Sequence, residues 1–336
     1  MRRAVGRWLP EVLLTRRLRV GREDITFESG GQPIAGWFYA PDGAEPGPWP
    51  CVVMGHGFAA VKEARLDAFA ERFAAAGMAC VVFDYRHFGG SGGEPRQVIN
   101  IGRQQADWRA AIAYARSRSD VDRSLIALWG TSFGGGHVLD IAKRDHSIAA
   151  VVLHLPLVDS LAAAKGEGLG QSLRLGVAGL RDELRRLLRR PPYLIRVVGP
   201  PGTMAVMTTP EAEPGYLSIV REAPTWRNVV AARITVEMAL FRPGRTTSRV
   251  SCPSLFVVGM RDTVTPPIAT LQTALRTLGA RVMGLPTGHF DAYLGDAFEE
   301  AVRAEAAFLV EHLAPARPRE AASASGAIPA AWSRGA

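Results

Sequence analysis

Apolar and polar positions along the chain switch between two periods. Short continuous apolar runs at residues 51–54, 78–83, 124–129, 148–155, 254–258 and 281–285 read as strands, the first ended by Gly55. Between and after them lie stretches with apolar residues at helical spacing. Residues 64–76 carry Leu66, Phe69, Phe73 and Ala76 and are closed by Gly77; residues 101–117 carry Trp108, Ile112 and Ala115; residues 134–144, 267–278 and 296–313 follow the same rule. Two further runs, 25–28 and 34–39, flank Gly30-Gly31 and predict a hairpin. Strands alternating with helices at this spacing predict an α/β fold, a mostly parallel central sheet covered by helices on both faces.

The alternation breaks between residues 160 and 249. A helix is clearest at 173–190, and the turns Pro191-Pro192, Gly199-Pro200-Pro201-Gly202 and Pro214-Gly215 interrupt the rest. A structureless loop of this length does not suit a compact domain, so the segment reads as an inserted cap. The expected organisation is a lead-in segment at 1–20, a core in two parts at 21–159 and 250–315, the cap at 160–249, and a disordered tail at 316–336 rich in Ala, Ser, Pro and Arg.

Composition narrows the picture without redirecting it. The 336 residues are 47% apolar and 21% charged, as in an ordinary globular protein. No stretch approaches the roughly 20 apolar residues of a spanning helix. Residues 1–20 hold arginines and a short apolar patch (Trp8, Leu9, Val12, Leu13, Leu14) without the long apolar region and cleavage site of a signal peptide. They read as an amphipathic lead-in, with a membrane-touching helix the second reading and no stable membrane insertion expected. Cys51, Cys80 and Cys252 lack metal-ligand spacing and read as reduced core cysteines of a cytoplasmic protein. The net charge of +8 comes almost wholly from scattered arginines, with only Lys62, Lys143 and Lys165 besides. The local cluster from Arg181 to Arg190 reads as a solvated helix face, and no nucleic-acid partner is expected. Neither a metal-ligand cluster nor a phosphate loop nor a dinucleotide fingerprint occurs in the sequence, so no cofactor is expected.

The strongest chemical signal is Gly130-Thr131-Ser132-Phe133-Gly134. It follows the run 125–129 and opens a helical stretch, the strand–turn–helix setting of a nucleophile elbow. A turn that tight demands small neighbours, and the serine hydroxyl is then pushed out at the carboxyl edge of the sheet. Gly89-Gly90-Ser91-Gly92-Gly93 matches the same five-residue pattern. However, Glu94-Pro95 follows it instead of a helix, and it reads as a flexible glycine loop.

A nucleophilic serine needs a base and an orienting acid. Of seven histidines, His289 sits in Pro286-Thr287-Gly288-His289-Phe290, between the last strand and the last helix, where a base can reach Ser132. The acid candidates are Asp262, in the loop after strand 254–258, and Asp159, after the preceding strand; Asp262 is preferred. Asp291 reads as a surface or loop-capping group. The oxyanion hole needs two backbone N–H donors. Phe133, the residue after the nucleophile, supplies one; Phe58, in Gly55-His56-Gly57-Phe58, supplies the other, with Ala59 the fallback. His56 reads as a brace for that loop.

On these motifs the chain resembles the α/β-hydrolase superfamily over roughly residues 20 to 315. The resemblance rests on H-G-F at 56–58, G-T-S-F-G at 130–134, G-M-R-D at 259–262 and G-H-F at 288–290. Asp84-Tyr85-Arg86-His87-Phe88-Gly89-Gly90-Ser91 is similar to the D-x-R-G-x-G-x-S loop of these enzymes, with His87 where glycine is usual. The stretch through Gln97 is similar to peptidase-like and dienelactone-hydrolase-like members and to fungal polyketide transferases and thiohydrolases. The resemblance implies a serine hydrolase acting on a carboxylic ester or thioester through an acyl-enzyme: Ser132 attacks, His289 takes the proton, Asp262 orients the imidazole, and the Phe58 and Phe133 amides bind the oxyanion. The alternatives are an acyltransferase with the same triad, a peptidase, and a non-catalytic binding protein of the same fold. A small acyl substrate is the expected partner, and homodimerisation is left open. The cap's Met204, Met207, Tyr216, Trp226, Met238 and Phe241 are expected to pack, and its Arg221, Arg227 and Arg233 to be solvated.

Overall fold

The computed structural model describes residues 21–41 and 47–314. The expected lead-in at 1–20 and tail at 316–336 lie outside the described residues. The hairpin forms from β1 (Gly21–Ser29) and β2 (Gln32–Ala40). There follow β3 (Trp49–Gly55), α1 (Leu66–Ala75), β4 (Ala79–Phe83), α2 (Ile101–Ser117), β5 (Val121–Thr131), α3 (Phe133–Ala142) and β6 (Ala150–His154). The segment after β6 holds α4 (Ser160–Glu167), α5 (Leu169–Leu187), β7 (Leu194–Val198), β8 (Ala205–Met207), α6 (Ala212–Ile219), β9 (Val230–Ala231), α7 (Ile234–Met238) and a 3-10 turn at Pro243–Arg249. The main alternation resumes with β10 (Ser254–Gly259), α8 (Pro267–Arg276), β11 (Arg281–Leu285) and α9 (Gly295–Leu313).

Eight strands form one sheet in the order β1-β2-β4-β3-β5-β6-β10-β11. Strands β1 and β2 are antiparallel to their neighbours, and the other pairings are parallel. Every residue of β4, β6 and β10 is buried, which is why these strands appear as unbroken apolar runs. Helices α1 and α9 pack together on one face, and α2, α3 and α8 cover the other. Trp108 from one face and Phe69, Phe73 and Trp129 from the other fill the core beside the central strands.

Two features of the sheet prepare a site. The chain steps outward from β3 to β4 and then returns to lay β5 on the other side of β3, so a crevice opens where the loops after β3 and β5 diverge. Register then aligns the ends. Gly55 pairs with Gly130, Thr131 with His154, and Gly259 with Leu285, so the loops after β3, β5, β6, β10 and β11 all leave from one edge.

The inserted segment departs from its sequence reading in three places. It contains a three-stranded sheet, β8-β7-β9, that no periodicity announced. Its long helix begins at Leu169 rather than 173 and is preceded by α4, whose first amides are capped by Asp159. Pro214-Gly215, expected as a turn, lies inside α6. A proline in the first turn of a helix costs no hydrogen bond, because that N–H has no intrahelical acceptor. Gly215 is required by contact: a Cβ there would collide with the ring of Phe290.

Candidate active site

The strand β5 ends at Thr131 and α3 begins at Phe133, leaving Ser132 alone between them with φ 54° and ψ −119°. A non-glycine residue holds this strained conformation only where its surroundings enforce it. They do so by close packing. A Cβ on Gly130 would lie 2.5 Å from the Gly134 carbonyl oxygen, and one on Gly134 would lie 2.6 Å from the His56 carbonyl oxygen. The Ser132 amide donates to the His154 carbonyl at 2.9 Å, tying the turn to β6.

His289 approaches from the loop after β11. Its Nε2 lies 3.2 Å from Ser132 Oγ and its Nδ1 lies 2.6 Å from Asp262 Oδ2. The Asp262 carboxylate accepts only, so Nδ1 carries the proton and Nε2 is left as the acceptor for the serine hydroxyl. Asp262 is itself held by the Val264 and Thr265 amides, each at 2.7 Å, and by the Thr265 hydroxyl at 2.6 Å. The structure thus brings Ser132, His289 and Asp262 into one hydrogen-bonded row. Asp159 does not join it. Its carboxylate caps α4 and pairs with Arg242 at 2.5 Å; burial opposes its charge, but these partners hold it below the usual carboxylate range. Asp291 accepts from the Gly288 amide at 3.1 Å, the loop-capping role expected of it.

Phe133 is the first residue of α3, so its amide is among those a helix start leaves without an intrahelical acceptor. Phe58 and Gly57 border the same pocket as Ser132, and the Phe58 and Phe133 rings meet edge to face at 5.6 Å. His56 Nδ1 contacts the Gly57 carbonyl at 3.0 Å, bracing the loop from a buried position.

Ser91, the second match to the elbow pattern, is buried and structural. It donates to the Asp84 carbonyl at 2.7 Å and accepts from the Ala35 amide at 2.9 Å. The loop around it is pinned, which corrects its reading as flexible: Arg86 pairs with Asp107, and Arg96 donates to the Gly89 carbonyl at 2.7 Å. His87 adopts φ 71°, the backbone conformation that makes glycine usual at its position.

Several contacts at the site escaped the sequence reading. Glu211, from the inserted segment, accepts from the His289 amide at 2.9 Å and from the Thr263 amide at 2.7 Å, joining the histidine and acid loops. The Tyr216 hydroxyl donates to the Phe58 carbonyl at 2.7 Å, and Trp226 Nε1 donates to the Ala59 carbonyl at 3.1 Å. The two rings stack 5.2 Å apart, and Tyr216 also meets Phe290, so it spans the Phe58 and histidine loops. Tyr293 and Thr131 share a hydroxyl–hydroxyl bond beside Ser132. These contacts have no local sequence signal, because each joins residues far apart along the chain.

The pocket over Ser132 is lined by Phe58, Leu66, Met207, Tyr216, Ile219 and Phe290 among others, and Arg221, Arg227 and Arg233 do not line it. Arg221 and Arg227 are exposed as expected, but Arg233 is buried. Its guanidinium pairs with Asp182 at 2.7 Å, because a buried carboxylate on α5 requires a partner. Among the described residues, no helix is long and apolar enough to cross a membrane.

Comparison with known proteins agrees with this architecture. A family model described as serine aminopeptidase, S33, matches residues 47–283. The quorum-quenching protein AidA of Acinetobacter baumannii is 40% identical over 286 residues, covering 85% of this chain and 93% of that protein. A polyketide transferase of Stachybotrys chlorohalonatus is 33% identical over 182 residues, 54% of this chain and 58% of its own. The crystal structure of the α/β-hydrolase GrgF from a Penicillium species superposes with a TM-score of 0.74 at 24% identity, covering 88% of this chain and 99% of that one.

Proposed function

We propose that this chain, which belongs to the serine aminopeptidase S33 family of α/β-hydrolases, is a serine hydrolase that cleaves an uncharged carboxylic ester or thioester through an acyl-enzyme. The observation that carries the reading is the row Ser132 Oγ–His289 Nε2–Asp262 at 3.2 and 2.6 Å, opening on a mostly apolar pocket without a charged side chain of Arg, Lys, Asp or Glu. In the proposed reaction His289 takes the proton as Ser132 Oγ attacks the acyl carbonyl. The Phe58 and Phe133 amides receive the oxyanion, and Asp262 holds the imidazole and offsets its positive charge. His289 then protonates the leaving alcohol or thiol. Water, deprotonated by the same nitrogen, releases the acid. The inserted segment acts as a cap that sets acyl specificity through Met207, Tyr216 and Ile219.

The test is the Ser132→Ala variant, assayed on p-nitrophenyl esters and with a fluorophosphonate probe. Turnover and labelling are expected to vanish with the circular dichroism spectrum unchanged; retained turnover would overturn the assignment. A panel of esters, lactones, thioesters and amides of graded acyl length then defines the substrate, with lactones included because an ester closed in a ring presents the same carbonyl.

An acyltransferase is the second reading, favoured by the polyketide-transferase relative and by the apolar side chains of Met207 and Ile219 that line the pocket. Mass spectrometry of products formed with competing alcohols and amines separates the two. A cytoplasmic location belongs to the same proposal. It is supported by three free, buried cysteines, Cys51 pushed up to about 12 by burial and so unreactive. Fractionation finding the enzyme outside the cytoplasm would contradict it.

A further inference from the structure

Helix α5 packs one face against its neighbours and leaves an apolar stripe on the opposite one. One face is buried: Gln171 donates to the Thr203 and Ala205 carbonyls at 3.0 and 2.6 Å, Gly179 lies against Thr235 and Val236, and Asp182 pairs with Arg233. At about 100° per residue, Leu169, Leu173, Val177, Leu180, Leu184 and Leu187 share a stripe on the far side. Each is between 57% and 87% exposed. Arg174, Arg181 and Arg185 border the stripe on one side, with Arg189 and Arg190 just past the helix end; on the other side lies Glu183. The acids of this helix do not offset them: Asp182 is buried, and Glu183 is paired with Arg186 at 2.6 Å. The solvated arginine face expected from the sequence is therefore the rim of an exposed leucine stripe.

We propose that this stripe docks in the plane of an anionic lipid surface, attaching the protein peripherally through its inserted segment. Charge selects the occupant. A second copy laid against the stripe would bring two arginine rims together. Residues 1–20 carry six arginines against the single acid Glu11, so they bear the same sign. Anionic headgroups supply the opposite sign, and the acyl boundary beneath them accepts leucine side chains while guanidinium groups stay at headgroup level. A helix so bound also sits next to the pocket wall, because Gln171 holds the backbone at Ala205, two residues before Met207.

The experiment is flotation of the full-length chain with phosphatidylcholine vesicles and with vesicles of phosphatidylcholine and phosphatidylglycerol. Wild type is expected to float with the mixed vesicles, to release in high salt, and to ignore phosphatidylcholine alone. The Leu173→Ser/Leu180→Ser/Leu184→Ser variant should bind at least about tenfold more weakly. Arg181→Gln/Arg185→Gln should lose much of the salt-sensitive part. Both variants should keep the wild-type circular dichroism spectrum and turnover of a water-soluble ester. Failure of wild type to float, equal binding to both vesicles, or undiminished binding by the leucine variant would overturn the proposal. So would a wild-type dimer in sedimentation that the leucine variant dissolves without any flotation, which would give the stripe to a second copy.

Discussion

Glu211 accepts a hydrogen bond from the backbone amide of His289 at 2.9 Å, so a carboxylate of the inserted segment helps hold the proposed base in place. Its second oxygen takes the Thr263 amide, one residue past Asp262. Glu211→Ala should therefore loosen both loops at once. We expect kcat to fall about tenfold or more with KM little changed, since a base misplaced by an ångström is costly while the acyl pocket survives. Glu211→Gln, which keeps an acceptor oxygen, should recover part of the loss. Steady-state kinetics on a soluble ester decides this, and a fully active Glu211→Ala would remove Glu211 from the positioning set.

The two aspartates separate by role. Asp262→Asn should cost about 10⁴ in kcat, because the amide favours the wrong imidazole tautomer. Asp159→Asn should leave kcat within a few-fold and lower stability by no more than about 1 kcal/mol, through the Arg242 pair alone, because the Asn oxygen still caps α4. Kinetics and thermal melts on the two variants, run side by side, would reverse the assignment if the losses were exchanged.

Tyr216→Phe removes one hydroxyl while keeping the ring that packs on Trp226 and Phe290. Burial pushes the phenol well above its ordinary value, so it stays a donor to the Phe58 carbonyl at any working pH. Loss of that bond should loosen the Phe58 amide and slow acylation by about three- to tenfold. Single-turnover acylation with a chromogenic ester measures this directly; an unchanged rate would mean that the loop is held without Tyr216.

Stability should fall in mild acid before the carboxylates titrate. Burial holds His56, His87 and His137 below the usual imidazole value, His137 at about 3. Unfolding restores the ordinary 6.5, so below that pH the unfolded chain binds protons that the native chain refuses. The stability conferred by neutral burial is whole above pH 6.5 and declines as pH falls toward 3, by at most about 1.4 kcal/mol per pH unit for His137. The depressed carboxylates begin to lose their share only below 4.5 for Glu311 and below 3.8 for Asp159 and Asp182, so the loss between pH 6.5 and 4.5 is the part assigned to histidine. Urea melts from pH 7 downward should show this slope, and His137→Gln should make it shallower. Parallel slopes would exclude His137 as the source.

What sequence alone determined follows from interactions between near neighbours. The elbow was legible because its tight turn makes demands within five residues, met by Gly130 and Gly134. The parallel strands were legible because burial on both faces leaves unbroken apolar runs, and the positions of His289 and Asp262 because they follow such runs. Tertiary structure alone decided the rest. Whether Asp262 or Asp159 meets His289 was decided by where the loops carry them: Asp262 reaches the imidazole, and Asp159 caps α4 and pairs with Arg242. The two elbow-like serines were separated in full only when Ser91 was seen spent on Asp84 and Ala35. Pro214-Gly215 reads as a turn until Phe290 is seen to need the space. Glu211 and Tyr216 act through backbone atoms, and a carbonyl or amide has no residue identity for a pattern to register. The leucines of α5 carry the periodicity of a core face. Only the packing of its other face, through Gln171, Gly179 and Asp182, left them facing outward.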